Sequence, residues 1–150
     1  MRLRCRVTII AFCAITILTA PPVWAQTRDQ NVDRCTGNNP DLKIAGCTAL
    51  IQSGQESLLG LYVAYNNRGL AYDAKGLYDQ AIADYTKLIA LLPGDRGGYT
   101  LRGRSYEKKG QRDQAIADYR AALRLPDNAA ATGPGPDYSR QALERLGVAP

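Results

Sequence analysis

The sequence predicts an all-α fold, a short α-solenoid of antiparallel helix pairs. The main observation is a duplication, because residues 79–85 recur without a change as residues 113–119, 34 positions later. A second observation is that apolar residues within each copy recur at three- and four-residue intervals, the period of one helix face. The residues around the duplicated string repeat at the same distance, and the pairs are Tyr65 and Tyr99, Arg68 and Arg102, Gly69 and Gly103, Tyr72 and Tyr106, and Gly76 and Gly110. A fixed period of this length indicates stacked helical repeats.

Residues 1–25 have the composition of an export signal. Arg2, Arg4 and Arg6 precede an apolar run over 7–20, and Ala25 stands where a signal peptidase cleaves. The apolar run is 14 residues long, shorter than the roughly 20 residues that span a bilayer. We expect a bacterial signal peptide cleaved after Ala25 and a periplasmic or secreted protein, with no membrane attachment after cleavage. The alternative is an N-terminal anchor that is retained.

The charge of the chain depends strongly on this leader. Three of the 19 Lys and Arg residues lie in residues 1–25, so residues 26–150 have 16 basic and 14 acidic residues and a net charge of +2. The basic residues are interleaved with Asp and Glu rather than gathered in one stripe, which argues against a nucleic-acid partner. The length after cleavage suits one small domain.

Two cysteines, Cys35 and Cys47, remain after the leader is removed. In an exported domain of this size they predict a disulfide. The alternative is a pair of thiols of which one or both are buried. The spacing is not C-x-x-C, so redox catalysis is not expected.

Residues 26–40 are polar and are predicted to be irregular. Residues 41–60 resemble the second half of a repeat whose first helix is missing or short, followed by a loop over 53–60. Asp41 would cap this helix. Cys47 would occupy the position that Tyr85 and Tyr119 hold in the full repeats, and Cys35 would reach it from the preceding segment.

Two full repeats follow, over 62–95 and 96–126, so that the helical repeats extend over 41–126. In the first repeat, Gly69 lowers helix propensity by about 1 kcal/mol, which is reasonable where a neighbouring helix packs on the backbone. Asp79 is expected to cap the second helix, and Pro93 with Gly94 ends it. Residues 127–136 read as a linker. Residues 137–147 form a last amphipathic helix that caps the open end of the solenoid.

The spacing of small and aromatic residues resembles the tetratricopeptide repeat, a family of paired antiparallel helices. The residues that carry the resemblance are Tyr65, Gly69, Tyr72, Ala81, Tyr85 and Pro93, then Tyr99, Gly103, Tyr106, Ala115, Tyr119 and Ala122. Leu88 departs from the small residue of the family pattern. The resemblance implies a groove, lined by the first helices, that takes a peptide or partner helix. Transferred by position, the binding residues are Val63, Asn66, Asn67, Leu70, Asp73, Ala74, Thr100, Leu101, Arg104, Glu107 and Lys108.

One further departure concerns Arg68 and Arg102, which replace the usual Leu of the family. Each arginine is expected to pair with an aspartate of its own second helix, Asp84 or Asp118. The alternative is that these are solvated charges, which contribute under about 1 kcal/mol.

Enzyme classes are not supported by the residue types. The chain contains no His, which removes the commonest general base and metal ligand. Its cysteines lack zinc-site spacing, and no G-x-x-x-x-G-K phosphate loop is present. We predict a non-enzymatic protein without catalytic residues, cofactor or metal.

The favoured function is binding of a peptide or protein partner. The alternative is a structural or self-associating envelope component, possible as a homodimer, whose partial N-terminal repeat packs on another chain.

Overall fold

The structure, a computed structural model, describes residues 27–126 and 135–150. Within these ranges the regular secondary structure is entirely helical: α1 (Arg28–Thr36), α2 (Pro40–Ser53), α3 (Leu58–Ala74), α4 (Tyr78–Leu91), α5 (Arg96–Lys108), α6 (Arg112–Arg124) and α7 (Pro136–Arg145). Each helix packs against its neighbours in the chain, and α1 and α5 also contact α3 and α7 respectively. The predicted all-α solenoid of helix pairs is confirmed. The signal predicted at 1–25 lies outside the described residues, as do residues 127–134 of the predicted linker.

The prediction of an irregular segment over 26–40 is wrong, because α1 occupies most of it. The helix begins with a capping box in which Thr27 and Gln30 bond to each other's backbone N–H groups. Cys35 and Cys47 form a disulfide, with an S–S distance of 2.00 Å and a Cα–Cα distance of 4.6 Å. The first helix of the N-terminal pair is therefore short but present.

Two helix starts also differ from the sequence prediction. Asn39, rather than Asp41, caps α2, because its side chain accepts bonds from the N–H groups of the next turn while Pro40 takes the first helical position. The predicted loop over 53–60 is shorter, since Ser57 caps α3 and the helix begins at Leu58. Asp79 makes no cap at the start of α4. Its carboxylate instead binds Lys109 of the next repeat.

Gly69 and Gly103 mark the closest packing within the two full repeats. A Cβ atom at Gly69 would lie 2.7 Å from Cε1 of Tyr85, and one at Gly103 would lie 3.0 Å from Cε1 of Tyr119. Both tyrosines are completely buried. The predicted close approach at these glycines is confirmed, and it explains why each repeat combines a glycine on its first helix with a tyrosine on its second.

The predicted arginine–aspartate pairs are confirmed in both repeats. Arg68 donates from Nε and Nη2 to the two carboxylate oxygens of Asp84, at 2.8 and 2.7 Å. Arg102 makes the same two-pronged contact with Asp118, at 2.8 Å for both bonds. Each arginine also donates to a threonine of the preceding repeat, with Arg68 reaching Thr48 and Arg102 reaching Thr86. These side chains therefore join the two helices of a repeat and also join neighbouring repeats.

The last helix closes the C-terminal end of the solenoid, as expected. Ala142 and Leu143 of α7 are fully buried against α6, in a cluster with Ala115, Ile116 and Tyr119. Tyr138 meets the ring of Tyr119 edge to face, with 6.2 Å between ring centroids. The opposite side of α7 is charged and exposed, which suits a terminal cap.

Candidate functional site

The predicted binding residues lie on α3 and α5, which alternate with α2, α4 and α6 along the chain. The exposed surface of α1, α3, α5 and α7 is here called the first-helix face. The structure adds α1 and α7 to this face, and each of them forms one wall of a cleft that the sequence did not predict. One cleft is apolar and the other is charged.

The apolar cleft lies between α1 and α3 and has a volume of about 290 Å³. Apolar side chains from three helices line it: Val32, Leu50, Leu59, Val63 and Ala64. Leu59 is 67% exposed and Val63 is 41% exposed, so large apolar side chains remain open to solvent here. Cys35 contributes to the lining and is bonded to Cys47, so the disulfide ties one wall of the cleft to α2.

An ion pair lies at the rim of the apolar cleft. Arg28 of α1 donates from Nε and Nη2 to the two oxygens of Glu56, at 2.8 and 3.0 Å. The Glu56 side chain is 4% exposed whereas that of Arg28 is 63% exposed. The hydrogen bond to Glu56 is the main cause that raises the pKa of Arg28. This pair joins α1 to the segment before α3 at the rim of the cleft.

The second cleft, here called the charged cleft, lies between α5 and α7 and has a volume of about 320 Å³. It is lined by Arg104, Glu107, Lys108, Tyr138 and Arg145. The guanidinium of Arg145 donates to Glu107, with its Nη2 3.0 Å from Oε1, and this hydrogen bond raises the pKa of Arg145. Three of the predicted binding residues are therefore brought together in this cleft.

Glu107 also accepts a hydrogen bond from α6. Tyr119 donates its hydroxyl to Oε2 of Glu107 at 2.8 Å. Burial, followed by this bond, raises the pKa of Tyr119 far above its ordinary value. Lys108 differs, because its Nζ lies over the ring of Tyr78 at 5.7 Å from the centroid and, within the described part of the chain, has no carboxylate partner.

Three predicted binding residues are buried, and the prediction that they line an open groove is wrong. Asp73 is 5% exposed and accepts hydrogen bonds from Ser105, at 2.7 Å, and from Arg104, at 3.3 Å. Thr100 is fully buried, and its hydroxyl lies 3.1 Å from that of Ser139 on α7. Packing between successive first helices covers both side chains. Leu101 is buried in the same way, at 2% exposure.

The remaining predicted residues lie between the two clefts. Leu70 packs against the buried cluster around Tyr62 and Leu101. Asn66 and Asn67 are half-buried, and Oδ1 of Asn66 is a buried acceptor that makes no hydrogen bond to the described residues. Ala74 is exposed at the end of α3. None of these four residues lines either of the two clefts.

Sequence reasoning missed Val32, Leu59 and Glu56, which belong to the apolar cleft. It also missed Tyr138 and Arg145, which belong to the charged cleft. A signal for α1 was present in the sequence, because Thr27 followed by Gln30 is a capping-box pattern. The position of Arg145 could not be read from the sequence, since α7 follows a segment that breaks the 34-residue period.

The described residues 27–126 and 135–150 contain no cluster of His, Cys, Asp or Glu suited to holding a metal ion. Within the same ranges, none of the helices has both the length and the apolar character required to cross a membrane.

Comparison with known proteins gives two matches to family models. Residues 62–95 and residues 97–128 each match a model described as tetratricopeptide repeat. These matches cover α3 to α6, so the disulfide-linked pair α1–α2 and the capping helix α7 lie outside them. A search of curated proteins found no match.

Proposed function

Because this chain is a tetratricopeptide repeat protein, we propose that it acts as a protein-interaction module with the first-helix face as its binding surface. Such repeats generally mediate binding to protein partners and typically serve as non-catalytic scaffolds. The observation that supports this surface is the open apolar cleft between α1 and α3, where Leu59 and Val63 remain exposed. Exposed apolar side chains in a cleft favour contact with a partner.

A co-purification experiment tests the surface. The full chain, tagged at its C-terminus, is expressed in its source cells and partners are recovered under mild detergent-free conditions. The variant Val63→Asp with Lys108→Glu changes both clefts at exposed positions, and Ala83→Asp with Lys87→Glu places the same changes on α4. The proposal expects partner recovery to fall only for the first variant. Equal recovery with both variants would show that the first-helix face is not the binding surface.

We also infer that the protein is exported to the periplasm or secreted. The arginine-rich, apolar composition of residues 1–25 supports this inference. The bonded pair Cys35–Cys47 supports it independently, since disulfides persist mainly in oxidising compartments. Cell fractionation of the tagged chain, followed by N-terminal sequencing, tests both export and cleavage after Ala25. A cytosolic chain that still begins at Met1 would contradict the inference.

The alternative function is a structural or self-associating envelope component whose N-terminal helix pair packs on another chain. In the structure, α1 packs on α2 through the disulfide and presents exposed polar residues such as Asp29 and Asp33 to solvent. Sedimentation distinguishes the two functions. A dimer that dissociates when α1 is deleted would support the self-association hypothesis.

A further inference from the structure

The helix α1 is attached to the rest of the chain by few side chains. Among its 9 residues, all of which the structure describes, Cys35 alone is fully buried. Val32 is partly buried and packs against the cluster of Cys35, Cys47, Leu50 and Ala64. The remaining side chains of α1 are polar or charged. The attachment of α1 therefore depends on its cysteine more than on any other of its side chains.

The close contact of α1 with Gly46 of α2 is made largely by backbone atoms. A Cβ atom at Gly46 would lie 2.7 Å from the backbone oxygen of Asn31 and 2.8 Å from the backbone nitrogen of Cys35. No side chain fits between the two helices at this point, so apolar burial contributes little there. The ion pair of Arg28 with Glu56 adds a second link, but the Arg28 side chain is 63% exposed, and water screens such pairs. The disulfide is therefore the main link between α1 and its neighbours.

α1 covers apolar surface that belongs to α2 and α3. Leu50 and Ala64 are 6% and 1% exposed, and both belong to the cluster that Cys35 completes. Leu59 and Val63 line the same apolar cleft and are already 67% and 41% exposed. If α1 moves away, these four side chains of α2 and α3 form one exposed apolar surface. Because such surface is unfavourable in water, the position of α1 determines whether it is closed or available for contact.

The two sulfur atoms of the disulfide differ in how a reductant reaches them. Cys35 lies in the last turn of α1, one residue before the helix ends at Thr36, and it lines the apolar cleft. The ends of helices open more readily than their centres. Cys47 is fully buried in the middle of α2. An attacking thiolate therefore reaches Sγ of Cys35 first, from the cleft, when the last turn of α1 opens.

We propose that α1 is a redox-controlled cover, which the disulfide holds on α2 and α3 and which reduction by a dithiol releases while the other helices stay folded. One thiolate of the dithiol attacks Sγ of Cys35, and Cys47 leaves as a thiolate that takes up a proton. The second thiol of the reductant then breaks the mixed disulfide and frees the Cys35 thiol. Two electrons and two protons pass to the chain, and the dithiol becomes a disulfide. This inference goes beyond the proposed binding function, because it concerns which surface the chain exposes in each redox state.

The other helices have contacts that do not depend on α1. The core clusters around Tyr85 and around Tyr119 are formed by described residues between Tyr62 and Val148, without a member from α1 or α2. α2 has its own link to α3, since Arg68 donates to the Thr48 hydroxyl at 3.0 Å. Loss of the disulfide should therefore free α1 alone.

Amide hydrogen exchange in the two redox states tests this inference. The full chain is expressed with its leader, purified in oxidised form, and measured by mass spectrometry with and without dithiothreitol, which is a dithiol. We expect reduction to speed exchange in α1 about tenfold or more and to leave α5 and α6 unchanged. Fluorescence of an apolar dye should rise in parallel, because the surface under α1 becomes exposed. Alkylation followed by peptide mapping shows whether Cys35 and Cys47 have both become thiols.

Two variants separate the covalent link from the other contacts of α1. Cys35→Ser with Cys47→Ser should show the exchange and dye binding of the reduced chain, and dithiothreitol should not change either. Arg28→Gln removes the ion pair at the rim of the cleft and keeps the disulfide. Its α1 should stay protected in the oxidised chain and lose protection only on reduction, since an exposed pair contributes little.

Three results would overturn the inference. If both cysteines are alkylated after reduction and α1 is still protected, packing holds the helix without the bond. If reduction also removes protection from α5 and α6, the disulfide supports the whole fold and α1 is not a separate cover. If dithiothreitol at a concentration that reduces glutathione disulfide completely leaves Cys35–Cys47 intact, the folded chain shields the bond and no redox control operates.

Discussion

In the first helix pair and in the last full repeat, one residue near the end of the first helix is bonded to one residue in the middle of the second helix, but the kind of bond differs. In the α1–α2 pair, Cys35 and Cys47 are joined by a covalent bond. In the α5–α6 pair, Glu107 and Tyr119 stand at the equivalent places, counted from the helix ends, and are joined by a hydrogen bond. The middle pair, α3–α4, has Asp73 and Tyr85 there, and the buried tyrosine hydroxyl, which is close to Arg104, makes no hydrogen bond to the described residues.

The difference follows from the neighbours of each first helix. Among the described helices, α5 packs between α4 and α6 and also contacts α7, whereas α1 packs against α2 and α3. α1 is also short, with 9 residues, and most of its side chains are polar. A helix of that length is unstable by itself. A covalent bond therefore supplies for α1 what close packing between α4 and α6 supplies for α5, and it does so at a residue that also lines the apolar cleft.

The largest expected effect comes from removing the covalent bond. Cys35→Ser with Cys47→Ser should lower the free energy of unfolding by about 3 kcal/mol, because the closed loop no longer restricts the unfolded chain. Urea titration followed by circular dichroism measures this change. Amide hydrogen exchange should show loss of protection in α1 and retention in α5 and α6. Unchanged stability would mean that apolar packing alone holds α1.

The next largest effect is expected from removing the arginine–aspartate pair that joins the two helices of each full repeat, where no disulfide is present. Arg102→Leu leaves the Asp118 side chain, 8% exposed, without its cation, and should destabilise the chain by about 2–3 kcal/mol. Arg68→Leu should have a similar effect, since the contact with Asp84 has the same geometry. Arg140→Leu is the matched control, because its pair with Asp137 is exposed on both sides and should change stability by under about 1 kcal/mol.

Denaturant titration of these three variants decides the point. If Arg102→Leu is neutral or stabilising, the ion pair does not hold the repeat together, and the buried glycine–tyrosine contact must account for the packing.

Much of the repeat region could be predicted from the sequence, because residues that are kept in both copies of a duplication indicate which side chains pack together. Two contacts recur in both repeats at the same sequence spacing, which identifies the two residues of each contact. They are the glycine–tyrosine contact (Gly69–Tyr85 and Gly103–Tyr119) and the arginine–aspartate pair (Arg68–Asp84 and Arg102–Asp118). The helix starts were less predictable. Asp41 and Asp79 were expected to be caps, but the start of α2 is capped by Asn39, and both carboxylates instead bind a lysine from the turn of the next repeat.

The candidate site was predicted only in part, since its residues depend on helices without a recognisable repeat. Val63, Arg104 and Lys108 were found by position and do lie in the clefts. Thr100 was misassigned because Ser139 of α7 covers it. The sequence before α7 breaks the period, so neither this contact nor that of Arg145 with Glu107 follows from the pattern.

A smaller loss of stability is expected when the glycine at the closest contact between the two helices of a pair is replaced by alanine. Gly46→Ala places a Cβ 2.6 Å from Cβ of Arg34 and 2.7 Å from the backbone oxygen of Asn31, so α1 must move away from α2. We expect destabilisation of about 2 kcal/mol from overpacking. Gly103→Ala places its Cβ 3.0 Å from the Tyr119 ring and gains about 1 kcal/mol of helix propensity, so its net cost should be smaller. Thermal unfolding of both variants gives the comparison, and a larger loss at Gly103 would contradict it.

The smallest effect is a difference in stability between variants of Tyr85 and Tyr119, which occupy in the full repeats the position that Cys47 has in α2. Tyr119→Phe removes the hydrogen bond to Glu107 and should lower the free energy of unfolding by about 1 kcal/mol, because Arg145 still pairs with the carboxylate. Tyr85→Phe removes a buried hydroxyl that makes no hydrogen bond within residues 27–126 and 135–150, and it should be neutral within about 0.5 kcal/mol or stabilising. Urea titration of both variants, with Tyr138→Phe as a control for loss of a less buried hydroxyl, measures the difference. If Tyr85→Phe costs as much as Tyr119→Phe, then the acid–tyrosine contact is equivalent in the two repeats, and only the disulfide distinguishes one helix pair from the others.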